Sequence, residues 1–187
     1  MNRTLPPSDS SEPGRARKRA ASSVQEAIQQ SRPFRSTGQE ALIGLLLTAD
    51  LVRRQLSAVV EPRGLTLQQY NVLRILRGAN AHGLPTLEIA HRMIEQTPGI
   101  TRLLDRLEEK KLVSRERCRV DRRQVLCHIS TAGLELLAAL DEPMNHADER
   151  LLSALSPAEL TRLVRLLDHV RARTQANLDP SSPTRPT

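Results

Sequence analysis

Aromatic side chains are almost missing from this sequence, which has one Tyr, one Phe and no Trp in 187 residues. Single-stranded nucleic acid and most sequence-specific RNA recognition rely on aromatic platforms for stacked bases, so those partners are disfavoured. Long apolar runs are missing as well. The longest, Ala41 to Ala49, is interrupted by Gly44 and Thr48 and is far shorter than the ~20 residues of a membrane span. No transmembrane helix and no membrane partner is expected. The opening stretch Met1 to Ser11 lacks the basic-then-apolar order of a secretory signal, which predicts a cytoplasmic location. Two cysteines, Cys118 and Cys127, make no disulfide framework and agree with a reducing compartment. Catalytic signatures are also lacking: there is no Gly-rich phosphate loop, no His-Glu-x-x-His and no Gly-x-Ser-x-Gly. Neither an enzyme nor a cofactor is expected. His82, His91, His128, His146 and His169 are scattered. The densest acidic group near a histidine, Asp141, His146, Asp148 and Glu149, does not share one helix face, so no metal site is expected.

What is present is basic charge. Lys and Arg number 28 against 21 Asp and Glu, a net charge of +7, and the pI is about 10.6. Such a balance attracts polyanions, and with aromatics scarce it favours duplex DNA. The length suits one domain with tails. Residues 1–37, rich in Ser, Pro and Arg, bury too little to offset the entropy of ordering and read as a flexible arm, with room for a short helix over Val24 to Gln30. The run Arg15 to Arg19 reads as a solvated basic tail, with phosphate contact as its alternative. Residues 179–187 carry three prolines and read as a disordered end. The single domain is therefore placed at 38–178.

Within it the periodicity is mostly helical. Residues 39–60 carry apolar side chains on more than one stripe, which suits a helix buried on two sides, one of them against a partner chain. Pro62 and Gly64 end it. Thr66 and Gln69 form a capping box, and Tyr70, Leu73, Ile75 and Leu76 give the buried face of a helix ending at Gly78. A third helix is predicted from Thr86 as N-cap through Met93 and Ile94, and a fourth from Thr97 as N-cap, with Pro98 at its first position, to about Lys110. The fourth buries Ile100, Leu103, Leu104 and Leu107. Two short alternating runs follow, Leu112 to Val120 and Val125 to Ile129, around an Asp121-Arg122-Arg123 turn; they predict a basic hairpin with Arg115, Arg117 and Arg119 on one face. Ser130 or Thr131 then caps a long helix bent near Pro143, and Ser156 to Glu159 starts a last helix with the stripe Leu160, Leu163, Val164, Leu167 and Val170.

The resulting fold class is mainly α with a small β-hairpin wing. It is a winged helix-turn-helix over about 65–130, flanked by dimerisation helices over about 39–60 and 132–176. In such an arrangement the second helix of the motif enters the major groove. Thr101 and Arg102 point away from the core, and Arg matches guanine O6 and N7 in a bidentate pair. Arg106 lies one turn further on, within reach of a base or phosphate. Thr97 and Gly99 keep the helix start slim, with free N–H groups suited to a phosphate. At the wing tip Arg119, Arg122 and Arg123 surround Asp121, which is expected to pair with Arg123 or another nearby Arg and so structure the wing. An Arg held there can enter the minor groove.

Three segments together resemble one family. They are Leu65 to Leu73, then Thr97-Pro98-Gly99-Ile100-Thr101-Arg102-Leu103-Leu104-Asp105-Arg106-Leu107, then Asp121-Arg122-Arg123 with Thr131-Ala132-Gly133. They look like the MarR family of bacterial transcriptional regulators, over about Gln39 to Ala176. The resemblance implies a homodimer, joined by its first and last helices, on a pseudo-palindromic operator and loosened by a small-molecule effector. It also implies that Thr101, Arg102 and Arg106 are groove-helix positions and that Arg123 is the wing arginine paired with Asp121. Repression is the default expectation. Independently, one helix reads only a few base pairs, so specificity calls for two copies about one DNA turn apart. An effector would occupy an apolar cleft near the helix after Thr66 and the long helix after Ser130. Two other readings stand beside this one: a redox-responsive regulator in which Cys118 and Cys127 face each other near the wing turn, and a winged-helix protein-interaction module. The charge on the presented face, Arg102, Arg106, Arg117, Arg119, Arg122 and Arg123, favours DNA over a protein partner.

Overall fold

The computed structural model describes residues 23–79, 83–95, 99–118, 121 and 123–178. The chain divides into two compact units, 1–49 and 50–187. In the first, helix α1 (Ser23–Ala27) is followed by the start of α2 (Thr37–Val60). Ser36 caps α2 by accepting from the Gln39 N–H at 3.2 Å. A Cβ at Gly44 would lie 3.2 Å from Val24, so the two helices approach closely there.

The second unit holds the core. A 3-10 turn, Glu61–Arg63, ends α2, and Gly64 follows at φ 73°, a left-handed conformation that favours glycine. Helix α3 (Leu67–Arg77) has the expected capping box: Thr66 Oγ1 accepts from Gln69 N, and Gln69 Oε1 accepts from Thr66 N, both at 3.2 Å. Its apolar side is Tyr70, Val72, Leu73 and Leu76, all buried. A two-residue strand β1 (Leu84–Pro85) comes next, unforeseen because two residues carry no alternation. Helix α4 (Thr86–Arg92) is shorter than expected, and its N-cap is Pro85 instead of Thr86. Met93 turns to φ −63°, ψ 138°, which ends the helix before the expected Ile94; Met93 stays buried, whereas Ile94 stands 86% exposed.

Helix α5 (Ile100–Glu109) begins two residues later than the expected Pro98, since Gly99 at φ 105° cannot belong to a helix. Thr97 and Pro98 lie outside the described residues. Leu103, Leu104 and Leu107 are buried. The helix closes with Leu112 N donating to Leu107 O and Lys111 N to Glu108 O, around Lys111 at φ 58°. Strands β2 (Val113–Arg117) and β3 (Val125–Ile129) pair antiparallel, and with β1 they form a sheet in the order β1-β3-β2. Helix α6 (Thr131–Leu152) runs through Pro143, and α7 (Pro157–Leu178) starts at a Ser156–Glu159 capping pair. Leu137, Leu140 and Met144 of α6 join the α3, α4, α5 and sheet residues in one apolar cluster. Arg77 of α3 forms a two-pronged ion pair with Asp141 of α6, at 2.8 and 2.9 Å, and its hydrogen bonds hold the Asp141 carboxyl below the usual carboxylate range. Among the described residues no helix is long and apolar enough to cross a membrane.

Ser130 caps α6 by accepting from Gly133 N at 3.0 Å, while Ser130 N donates to Leu112 O. This brings the first turn of α6 onto the end of α5. A Cβ at Gly133 would lie 2.4 Å from the Leu112 carbonyl oxygen. Gly133→Ala is therefore expected to lower stability by about 1–3 kcal/mol, the usual cost of overpacking. A urea unfolding midpoint unchanged from the parent would contradict this close approach.

Candidate nucleic-acid interface

The outward face of α5 is built by subtraction. Once Leu103, Leu104 and Leu107 are buried, helical geometry turns Thr101, Arg102 and Arg106 into solvent, and all three are exposed. Arg102 and Arg106 sit one turn apart on the same side. Among the described residues neither guanidinium has an ion-pair partner. Gly99, the N-cap, offers no side chain to the first N–H groups of the helix. There is open space around a Cβ built on it, so conformation and not crowding is what calls for glycine here.

The other basic groups divide in two. Lys110 is exposed but engaged within the chain: its Nζ donates to Gly64 O at 2.5 Å and to Gln69 Oε1 at 3.2 Å, which ties the end of α5 to the start of α3. Arg115 turns inward, contrary to its expected place beside Arg117 on the hairpin surface. It reaches Asp105 at 2.7 Å and Glu108 at 2.5 and 2.9 Å, and is three-quarters buried. The two carboxylates lie three apart on α5 and face the strand, which is why a strand arginine is drawn to them. This clamp fixes β2 against α5. Arg117 remains exposed.

At the hairpin turn, Asp121 Oδ1 accepts from the Arg123 main-chain N–H at 3.0 Å and Oδ2 from Gln124 Nε2 at 3.1 Å. Asp121 thus holds the turn through the backbone of Arg123, as an Asp side chain readily meets an N–H two residues on; among the described residues no ion pair joins it to the Arg123 guanidinium, and pairing with another nearby Arg falls on residues outside them. Arg123 is exposed and lines an open groove with Pro85, Thr86 and His91. Arg119 and Arg122 lie outside the described residues.

The two thiols do not face each other. Cys127 is paired with Arg115, and Cys118, three residues further along, donates its N–H to Gln124 O. Three residues of strand amount to about 10 Å, well past the ~7 Å Cα limit for a disulfide. Cys127 is fully buried against Thr86 Oγ1 at 3.8 Å, and burial pushes its thiol up against weaker opposing pulls from Thr86 and Arg115. Cys118 is half-buried, its Sγ accepting from Asp121 N at 3.5 Å. Among the described residues no three His, Cys, Asp or Glu side chains gather as a metal site.

An apolar cleft of about 220 Å³ lies between Arg53 and Ser57 of α2, the first turns of α3, and Met93 to Glu95 after α4. It borders α3 as expected but not α6. Its mouth is crossed by polar ties: Arg53 Nε meets Glu95 Oε1 at 2.6 Å, Gln68 Nε2 donates to Glu95 Oε2 at 3.2 Å, and Ile94 N donates to Asn71 Oδ1 at 3.1 Å. Sequence reasoning missed these ties and the Arg115 clamp, because each joins residues distant in the chain.

Two outcomes check this geometry. Removing the clamp in Arg115→Met leaves Asp105 and Glu108 facing a neutral strand, and is expected to cost about 1 kcal/mol in urea unfolding; an unchanged midpoint would count against it. Oxidation of the native protein is expected to give no Cys118–Cys127 disulfide, and Cys127 to react with a thiol reagent only as fast as the chain unfolds. An intrachain bridge in non-reducing peptide mapping would refute the register.

The sequence profile described as the MarR family matches residues 65–125. A protein of Thauera aromatica named as the transcriptional regulatory protein for the hcr operon is 29% identical over 109 residues, or 58% of this chain; the chain spans just under two thirds of its length, 64%. Among solved structures, an E. coli MarR variant in complex with operator DNA is 25% identical, with a TM-score of 0.61, covering 67% of this chain and 89% of that one. The crystal structure of a MarR transcription factor from Planctomyces limnophilus is 40% identical, with a TM-score of 0.57, covering 73% of this chain and 98% of that one. With that identity sustained across nearly the whole of a MarR protein, on a fold of seven helices and a small antiparallel sheet among the described residues, this chain belongs to the MarR family.

Proposed function

We propose that this protein is a sequence-specific, duplex-DNA-binding transcriptional regulator that acts as a cytoplasmic homodimeric repressor. The observation that carries the reading is the exposed row Thr101, Arg102 and Arg106 on α5. Two cations on one face with no acidic partner among the described residues suit a polyanion. The E. coli MarR variant solved on operator DNA has the same fold, which supports duplex DNA as the partner. In this reading Arg102 meets a base edge, Arg106 a base or phosphate, and Gly99 opens the helix start to a phosphate. Arg123, with Arg119 and Arg122, forms the minor-groove wing, shaped by Asp121. Thr97 belongs to the helix approach.

The homodimer is supported by apolar surface. Leu42, Leu45 and Leu46 in the first unit, and Val164, Leu166 and Val170 on α7, are exposed by between 38% and 63%, more than a lone chain leaves in solvent on two helices without reason. A pseudo-palindromic operator would follow from that two-fold symmetry. The domain reading is an arm over 1–37, the MarR-like domain over 38–178 with its winged motif at 65–130, and a tail over 179–187. The 220 Å³ cleft, smaller than the ~300 Å³ at which ligand pockets usually begin, would take only a small effector. An effector there would act by favouring one spacing of the two α5 helices.

Footprinting with a salt titration tests this. Duplex affinity is expected to fall steeply with salt, log K losing about 0.9 per phosphate neutralised. Arg102→Ala should cost about 1–3 kcal/mol on the operator and relax base discrimination. Arg123→Ala should weaken all duplexes alike and lower the salt slope by about 1. Salt-insensitive binding would sink the DNA reading and favour a winged-helix module for a protein partner.

A further inference from the structure

Among the described residues between α4 and α5, one carboxylate ties the chain to two other helices. Glu95 lies in the connection between α4 and α5, and it is met by side chains from two other helices: Arg53 of α2 at 2.6 Å and Gln68 of α3 at 3.2 Å. One turn along α3 from Gln68, Asn71 takes the N–H of the preceding residue, Ile94, at 3.1 Å. Apolar burial does little here, since Ile94 is 86% exposed and Glu95 itself is 38% exposed. Of the residues described just after α4, Met93 is buried in the core, while Ile94 and Glu95 are held by polar ties. Arg53 is itself held beside Asp50, which also pairs with Arg54 at 2.6 Å, so the cation reaching Glu95 is already oriented.

We propose that Glu95 is a positioning residue for operator recognition, coupling α2 to the start of α5 through Arg53. The inference rests on the DNA-regulator reading and adds to it the link between the helix assigned to the dimer and the helix assigned to the groove. Glu95 is an anion and contacts no phosphate. Its effect is confined to discrimination: α5 must leave the turn in one direction for two copies to meet two half-sites, whereas contact with phosphates at large tolerates a range of directions. The pair is half-exposed, so its removal leaves folding nearly unchanged.

The test uses full-length protein and a duplex that the wild type itself selects from a random-sequence pool, against a scrambled duplex. Glu95→Gln and Arg53→Gln are each expected to weaken binding to the selected duplex by about threefold to tenfold. Affinity for the scrambled duplex and the salt slope should stay as in the wild type. The double variant should be no worse than either single one, as for two residues acting through one contact, and Arg53→Lys should retain part of the discrimination. Equal loss on both duplexes, additive losses in the double variant, loss that tracks a fall in unfolding temperature, or wild-type discrimination in all variants would each overturn the proposal. A wild-type protein that selects no duplex at all would instead remove the regulator reading on which the proposal stands.

Discussion

Burial of Leu103, Leu104 and Leu107 under α3 and the sheet is the interaction on which the rest of the molecule's surface depends. A helix of ten residues is too short to be stable alone in water, so α5 exists because its apolar side is covered. Covering that side fixes its rotation about its own axis, and that rotation alone decides which polar residues reach solvent. Arg102 and Arg106 face outward for this reason; no attraction to a partner is needed to put them there. A different choice of core stripe would have presented Asp105 and Glu108 and made the same helix repel a polyanion.

The ends of α5 need separate control, because apolar contact sets rotation better than it sets direction. Lys110 holds the carboxyl end to the α2–α3 connection, Arg115 holds β2 to the middle of the helix, and Glu95, in the connection after α4, meets Arg53 of α2 and Gln68 of α3. All three are ion pairs or charge-assisted hydrogen bonds at partly exposed sites, where each is individually weak. Their value is in geometry, since long charged side chains tie elements whose backbones do not touch. The basic residues of the region thus fall into two populations, those engaged within the chain and those with no ion-pair partner among the described residues.

Much of this was legible from local chemistry. The Thr66–Gln69 box, the Ser130 and Ser156 starts, the outward Thr101, Arg102 and Arg106, and the hairpin over 113–129 all depend on residues within a few positions of each other. The misreadings have a common cause. Arg115 counted as a surface cation because strand alternation cannot see the acidic pair on α5. Cys118 and Cys127 were set opposite each other because register is decided by the partner strand. Thr86 is the first helical residue of α4 instead of its N-cap, and its hydroxyl lies 3.8 Å from the sulfur of Cys127, 41 residues away. The start of α5 is an exception with a local cause: the positive φ of Gly99 puts the first helical residue at Ile100 instead of Pro98.

The sequence by itself determined the element types, the amphipathic stripes and the excess of cations, since these follow from hydrogen bonding and periodicity over three or four residues. It also carried the family resemblance that the comparisons support. Only the tertiary structure decided which cations are available. An arginine's charge is the same wherever it stands, but whether a carboxylate lies within 4 Å depends on how distant segments are packed. That packing drew Arg115 onto Asp105 and Glu108, left Arg102, Arg106 and Arg123 exposed with no ion-pair partner among the described residues, and brought Arg53 and Gln68 onto Glu95.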